Sequence, residues 1–291
     1  MYKHNRGLSG TPKREGKPDL RAQHLLHNKQ VIQEMVDYAG LTSIDTVLDL
    51  GAGKGAITFH LAETAGKVVA IEKDAAFAEA LRRKAEEYAN VAIVERDIQH
   101  SYLPKKPFHV VANIPFFITT PILEKLLNPP VSSFQGAVLI VQHGAAKGFT
   151  NRFIRSPRLL KWRMWFDIDL VKMVPRRHFS PPPRVDAAVL RIRRKKTAEI
   201  DLRHHHTFEG LAEYALKHPE LPVSGALQGI FTPPQMKQLM ISLKIDRHAP
   251  ICSLNELQWG IVFHTMLERV PSFRWPKRKK KSHNGVRSSG M

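Results

Sequence analysis

Five short apolar runs constrain the fold more than any other feature: 46-TVLDL-50, 67-KVVAIE-72, 91-VAIVE-95, 108-FHVVAN-113 and 137-AVLIVQ-142. Stretches of helical character, 56–65, 74–88 and 119–127, separate most of them. Runs that are apolar on both faces and joined by helices belong in a parallel sheet covered on two sides. A further helix starts at Asn28, with Val31, Ile32, Met35 and Val36 on one face and Gly40 as its stop. Two more strand-like runs, 166-FDIDLVKMV-174 and 185-VDAAVLRIR-193, flank a proline-rich loop and read as a closing antiparallel pair. Residues 23–196 thus read as one doubly wound α/β domain. Beyond 193-RRKK-196 the pattern turns helical, in 207–218, 235–244 and 253–270, with Ser253 and Glu256 spaced as a capping box. Residues 197–272 are expected to be a small all-helical domain, 1–22 a flexible basic arm, and 273–291 a disordered basic tail.

Composition narrows the class. A chain of 291 residues with 43% hydrophobic content can build a real core, and its net charge of +19 points to a polyanionic partner. The single cysteine, Cys252, excludes an internal disulfide framework and a cysteine-ligated zinc site. The run 204-HHH-206 reads as a basic linker, because consecutive side chains do not converge on one ion; no metal is expected. No segment approaches the roughly 20 apolar residues of a membrane span. The N-terminal segment is basic but lacks the apolar core of a secretory leader, so the cytoplasm is the expected compartment.

The stretch 49-DLGAGKG-55 follows the first strand. A Walker loop needs G-x-x-x-x-G-K-[ST], and here Lys54 is followed by Gly55 instead of a hydroxyl. A dinucleotide fingerprint needs its third glycine one residue later. What remains is a bend at Gly51, Gly53 and Gly55 that brings backbone close to an uncharged or zwitterionic ligand, with Asp49 orienting the turn. Glu72 ends the second strand and suits two ribose hydroxyls, because a carboxylate accepts both. Asp97 follows the third strand and suits an adenine amine, with the Ile98 N–H directed at the ring. Three acids on the rim where parallel sheets bind ligands point to an adenosyl ligand without pyrophosphate, S-adenosylmethionine.

After the fourth strand comes 113-NIPF-116. The exocyclic amine of adenine is a poor nucleophile, since its lone pair delocalises into the ring. The Asn113 side-chain oxygen and the Ile114 carbonyl can each accept one N–H and so aim the lone pair at a methyl donor. Pro115 stiffens the turn, and Phe116 offers a face for an extruded base. Fourteen Lys/Arg stand against three acids between Arg152 and Lys196. Among them Arg152, Arg155, Arg158, Lys161, Arg163, Arg176 and Arg177 are candidate phosphate contacts. Trp162 and Trp165 read as packing residues.

With 23-QHLLHN-28, 49-DLGAGKG-55, Glu72, 97-DI-98, 113-NIPF-116 and 174-VPRRHFSPPPRVDAAVLRI-192, the chain resembles the erythromycin-resistance rRNA adenine methyltransferases, a branch of the rRNA adenine dimethyltransferases. The resemblance runs from about Gln23 to Trp275. Segments 143-HGAAKGFT-150, 162-WRMWFDI-168 and 230-IFTPPQMK-237 are similar to the resistance branch in particular. The resemblance implies a Rossmann-like class I methyltransferase domain followed by a helical domain. It implies mono- or dimethylation of one adenine in 23S rRNA, in protein-free or immature large subunits, with S-adenosyl-L-homocysteine as co-product and resistance to macrolide, lincosamide and streptogramin B antibiotics. It also implies that Gln23, His24 and Leu26 contact the methionine end of the cofactor and that Asn113 touches both cofactor and target. Phe116 and Phe179 would flank the flipped base. His24, Leu25 and Phe116 stand where many members carry Asn, Phe and Tyr. A monomer is expected. The alternatives are the housekeeping small-subunit dimethyltransferase, a non-catalytic nucleic-acid binder on the same fold, and a DNA adenine methyltransferase; the helical segment is small for the target-recognition domain that the last needs.

Overall fold

The computed structural model describes residues 24–130 and 133–278. Gln23, the arm 1–22 and the last residues of the basic tail lie outside them. The elements run β1 (Leu25–Leu26), α1 (Lys29–Ala39), β2 (Thr46–Leu50), α2 (Ala56–Ala62), β3 (Lys67–Glu72), α3 (Ala75–Ala85), β4 (Val91–Glu95), β5 (Phe108–Asn113), α4 (Thr119–Leu127), β6 (Phe134–Gln142) and α5 (His143–Phe149). There follow α6 (Pro157–Trp165), β7 (Phe166–Val174), β8 (Phe179–Ser180), β9 (Ala187–Arg194), α7 (His205–Ala215), α8 (Val223–Ala226), α9 (Pro233–Leu243) and α10 (Glu256–Arg269).

Seven strands form one sheet in the order β4-β3-β2-β5-β6-β9-β7. The first five are parallel, and β9 lies antiparallel between β6 and β7. The closing antiparallel pair is therefore present, with its later strand inserted inside the earlier one. The strand order steps outward in opposite directions from β2 and β5, so both of their C-terminal ends, Leu50 and Asn113, open on the crevice where such sheets bind ligands.

Alternate residues of the same strands feed two cores. Val47, Val111, Val138 and Ile140 pack with Val31, Ile32, Met35 and Val36 of α1 and Ile57 and Leu61 of α2. Leu48, Val110, Leu139 and Val141 pack with Ile122, Leu123, Leu126 and Leu127 of α4. This two-sided burial is what makes the runs apolar throughout. Asn28 caps α1 by accepting from the Val31 N–H, and Gly40 ends it in the left-handed region at φ 59°.

The second core continues into the helical segment without a break, through Phe208, Leu211, Trp259, Val262, Phe263 and Met266. Phe208 is its hub, meeting Trp165, Trp259 and Phe263 edge-on at 5.8, 6.4 and 5.6 Å. Trp162 and Trp165 are packing residues at 1% and 3% exposure. Two sequence expectations are corrected here. The cap of α10 is Asn255, which accepts from the Gln258 N–H at 2.9 Å while Gln258 Oε1 accepts from the Asn255 N–H at 3.1 Å. Ser253 instead ends a 3₁₀ turn, its hydroxyl donating to the Pro250 carbonyl. Both positions fit a capping box, and the later start is the one that turns Trp259, Val262, Phe263 and Met266 inward. Likewise His205 and His206 open α7 instead of lying in a linker.

Phe208→Ala empties the hub of a fully buried cluster, and such truncations cost about 3–5 kcal/mol. We expect a correspondingly lower urea midpoint, with fluorescence and far-ultraviolet dichroism falling in one transition, because the core is shared. Separate transitions by the two probes would contradict that continuity.

Candidate active site at the C-terminal rim of the sheet

The glycine bend is held from below by a buried acid. Glu72, at the end of β3 and only 1% exposed, accepts from the Gly53 N–H on Oε2 at 2.8 Å. Its Oε1 accepts from the Lys73 and Asp74 N–H groups, both at 2.9 Å. The Gly51 and Ala52 N–H groups donate to the Ile71 carbonyl. Gly51, Gly53 and Gly55 all have positive φ, at 79, 54 and 82°. Two of them also lack room: a Cβ on Gly53 would lie 2.9 Å from Leu25 Cδ2, and one on Gly55 2.4 Å from Phe59 Cε2. Asp97 caps the next rim turn by accepting from the Gln99 N–H at 2.7 Å. Ile98 is buried against Gly51, and Lys125 donates to the Ile98 and Gln99 carbonyls. Burial pulls the Lys125 amine below its ordinary range, and the Asp97 carboxylate partly opposes this.

Above the bend lies 113-NIPF-116. Asn113 Nδ2 donates to the His24 carbonyl at 2.7 Å. A carbonyl only accepts, so this contact fixes which way the amide points and leaves Oδ1 as an acceptor with no donor among the described residues. Pro115 sits at φ −56°, and the Ile118 N–H and the Thr119 hydroxyl close the following 3₁₀ turn onto the Pro115 and Phe116 carbonyls. His24, Leu25, Gly51, Asn113, Ile114, Pro115 and Phe116 line one cleft.

A strap holds that cleft from the other side. β1 pairs antiparallel with β8, Leu25 opposite Ser180 and Leu26 opposite Phe179. His24 Nδ1–H donates to the Pro181 carbonyl at 2.8 Å, and the His27 N–H donates to the His178 carbonyl. Asn28 Nδ2 donates to His178 Nδ1 at 2.8 Å, which requires an unprotonated acceptor nitrogen there. Burial, followed by the nearby Arg177, His27 and Lys172, pulls the His178 imidazole below its ordinary range and agrees with that state.

Strand alternation sets which side chains of the strap face the cleft. Leu26 is 5% exposed and its side chain joins the core, so Leu25, which sequence reasoning passed over, is the side chain that lines the cleft. Phe179, opposite Leu26, is 2% exposed in the same core and presents no open ring face; Phe116 is the accessible ring beside Asn113. Asp49 spans the bend from β2 to α2: its Oδ2 accepts from the Thr58 hydroxyl at 2.6 Å, while its buried Oδ1 has no partner among the described residues.

The basic candidates divide in two. Arg155 pairs with Glu220 and Arg158 with Glu124, both at 2.7 Å. Arg163 pairs with Glu256 at 2.6 Å and Lys161 pairs with Glu209, which Arg278 also meets. Burial works to raise the Glu209 carboxyl, yet Lys161 and Arg278 outweigh it and hold it below the usual carboxylate range. These four cations fasten α6 and the loop before it to α4, α7, α10 and the loop before α8. Arg158 and Lys161 also line a larger cleft of about 860 Å³ between α4, α6 and α7. Arg176, Arg177 and Arg152 make no ion pair among the described residues, and the first two lie beside the β1–β8 strap. Arg152 stands over the Phe153 ring, 5.5 Å from its centroid.

Residues 17–267 match the model of the ribosomal RNA adenine dimethylase family. The chain is 48% identical over 282 residues to an rRNA adenine N-6-methyltransferase of Bacillus licheniformis, covering 97% of this chain and 98% of that protein. It is 33% identical over 212 residues, 70% of this chain and 74% of that one, to a probable ribosomal RNA small subunit methyltransferase A of Methanopyrus kandleri. Among solved structures it superposes on the 23S rRNA methyltransferase ErmE with a TM-score of 0.76 at 25% identity, over 84% of this chain and 99% of that one.

The buried Asp49 makes a prediction independent of any ligand. Burial, with the Glu72 charge adding to it, pushes its carboxyl from near 3.8 up to about 7, against the opposing Thr58 bond. The folded state therefore keeps a proton that the unfolded chain has released, and stability falls as pH rises from about 4 to about 7 and is level above that. Asp49→Asn removes this dependence. From pH 5 to pH 8 the melting temperature of the wild type should fall relative to that of the variant by roughly 3 °C or more; parallel curves would remove the buried proton.

Proposed function

The chain belongs to the ribosomal RNA adenine dimethylase family, a family of S-adenosylmethionine-dependent enzymes, and we propose that its substrate is 23S rRNA, in which it methylates the exocyclic amine of one adenine. The product, a mono- or dimethylated adenine, would give resistance to macrolide, lincosamide and streptogramin B antibiotics. The observation that carries the reading is the amide of Asn113, turned by the His24 carbonyl so that its oxygen accepts beside the glycine bend.

The rim fits the cofactor. Positive φ at the alternate positions Gly51, Gly53 and Gly55 bends bare backbone around the rim, and Glu72, Asp97 and Ile98 border that bend. S-adenosylmethionine supplies an electrophilic methyl group on a sulfonium. Glu72 already receives three backbone N–H groups, so Oε2 has room for one ribose hydroxyl instead of the two that the sequence suggests. Asp97 keeps one carboxylate oxygen for an adenine amine. The Asn113 oxygen and the Ile114 carbonyl would accept the two N–H groups of the target amine and turn its lone pair toward the bend, while Phe116 supports the extruded base. No strong base is needed, since the methylated amine is cationic and gives up its proton to water. Catalysis rests on positioning and fixed dipoles.

Similarity to ErmE over nearly all of that chain favours 23S rRNA. Similarity to the small-subunit enzyme of Methanopyrus kandleri keeps the housekeeping reaction as the second reading. Labelled methyl groups offered to protein-free 23S rRNA and to small-subunit particles separate the two: incorporation should enter the former, with a primer-extension stop at one adenine. Incorporation into the particle alone would replace the proposal by its rival.

Asn113→Ala should lower methyl transfer by roughly 100-fold or more, as loss of a preorganised polar group does. Calorimetric affinity for S-adenosylmethionine should stay within a few-fold. Retained near-normal transfer would refute the assigned role.

A further inference from the structure

Immediately after Phe116 the chain carries a second phenylalanine. In the 3₁₀ turn Phe116–Ile118, successive side chains point about 120° apart. Phe116 lines the cleft, Ile118 is buried at 6%, and Phe117 is 69% exposed. Isolated exposed apolar residues are ordinary on protein surfaces; this one differs in being rigidly held next to the reacting loop. The turn is fixed by the Ile118 N–H on the Pro115 carbonyl at 3.1 Å and by the buried Thr119, whose hydroxyl donates to the Phe116 carbonyl at 2.9 Å. An exposed phenyl ring on a fixed backbone turn, next in sequence to a ring that lines the cleft, is a surface for another π-system.

We propose that Phe117 is a stacking platform for the nucleotide flanking the target adenine in the substrate RNA. This rests on the reading that an adenine occupies the Asn113 loop. Phe116 and Phe117 diverge, so one base does not cover both rings. A base extruded toward Asn113 takes Phe116, and the strand leaving the cleft passes over Phe117. The occupant is polyanionic by charge complementarity, since Arg176 and Arg177 carry no ion pair among the described residues and the chain's net charge is +19. Stacking on an aromatic ring is tolerant of base identity, so this contact would contribute grip and strand direction more than sequence choice.

The test uses the full chain and whichever rRNA accepts methyl from the wild type, so failure of the 23S assignment does not disturb it. Phe117→Ala should raise KM for RNA about 5- to 100-fold, the loss of one base–aromatic stack, with kcat changing less. Phe117→Leu, which keeps apolar bulk without a π-face, should behave like alanine, and Phe117→Tyr should restore KM. Affinity for S-adenosylmethionine by calorimetry and the melting temperature should not move. An unchanged KM in Phe117→Ala, a wild-type KM in Phe117→Leu, or a fall in melting temperature that accounts for the loss would overturn the proposal.

Discussion

The rim of the sheet depends on one buried carboxylate. Glu72 is nearly solvent-free, and a carboxyl group is tolerable there because three backbone N–H groups satisfy its oxygens. Those donors come from two segments: the glycine bend after β2 and the turn into α3. A single side chain therefore sets the separation between the two loops that border the cradle. Its charge also reaches Asp49 one strand away and helps keep that carboxyl protonated. Of the two acids in this buried region, Glu72 holds three backbone donors and Asp49 a single hydroxyl, and it is the Asp49 carboxyl that is pushed up.

A second constraint comes from far along the chain. Asn113 is oriented by the carbonyl of His24, 89 residues earlier, and His24 is itself held by Pro181, 157 residues later. The two-residue pairing of β1 with β8 carries the strap, and Leu25 closes it onto Gly53. The acceptor geometry at Asn113 is thus a tertiary product in which the reactive motif itself supplies only the amide. It also accounts for histidine at position 24: the contact to Asn113 uses the backbone, while the side chain is free to donate to Pro181.

How much of this was legible follows from the range of each interaction. Strands β2, β3 and β5 appear as apolar runs because burial on both faces marks most of their residues, while the edge strand β4 keeps the apolar pattern without being buried; the bounds of all four follow the sequence. The glycine bend appears because positive φ and close packing both demand glycine. Pairing of β1 with β8 leaves no periodicity, being two residues long, so the inward turn of the Leu26 and Phe179 side chains is invisible in the sequence. Helix α6 escaped because it is buried on several sides and lacks a polar stripe, with Leu159, Leu160, Trp162, Met164 and Trp165 all inside. The cap of α10 was misplaced by two residues because Ser253 and Asn255 carry equivalent local signals, and only packing distinguishes them.

Charge was the least legible feature, since sequence counts cations without their partners. Arg155, Arg158, Lys161 and Arg163 read as a phosphate-binding patch, yet each meets a glutamate from another element. Such pairs contribute modestly where exposed, but Lys161 and Arg163 are mostly enclosed; removing Arg163 would strand the shielded Glu256, and removing Lys161 would leave Glu209 to Arg278 alone of the two cations that hold it low. Around the strap the arrangement is the opposite. Arg177 and Lys172 lie near His178, and of these two cations Lys172 alone pairs with an acid, Glu34, among the described residues. Arg176 and Arg177 thus keep their charge beside the cleft without an ion pair among the described residues, while the cations of α6 are neutralised, which separates the charge that holds the fold from the charge left for a polyanion.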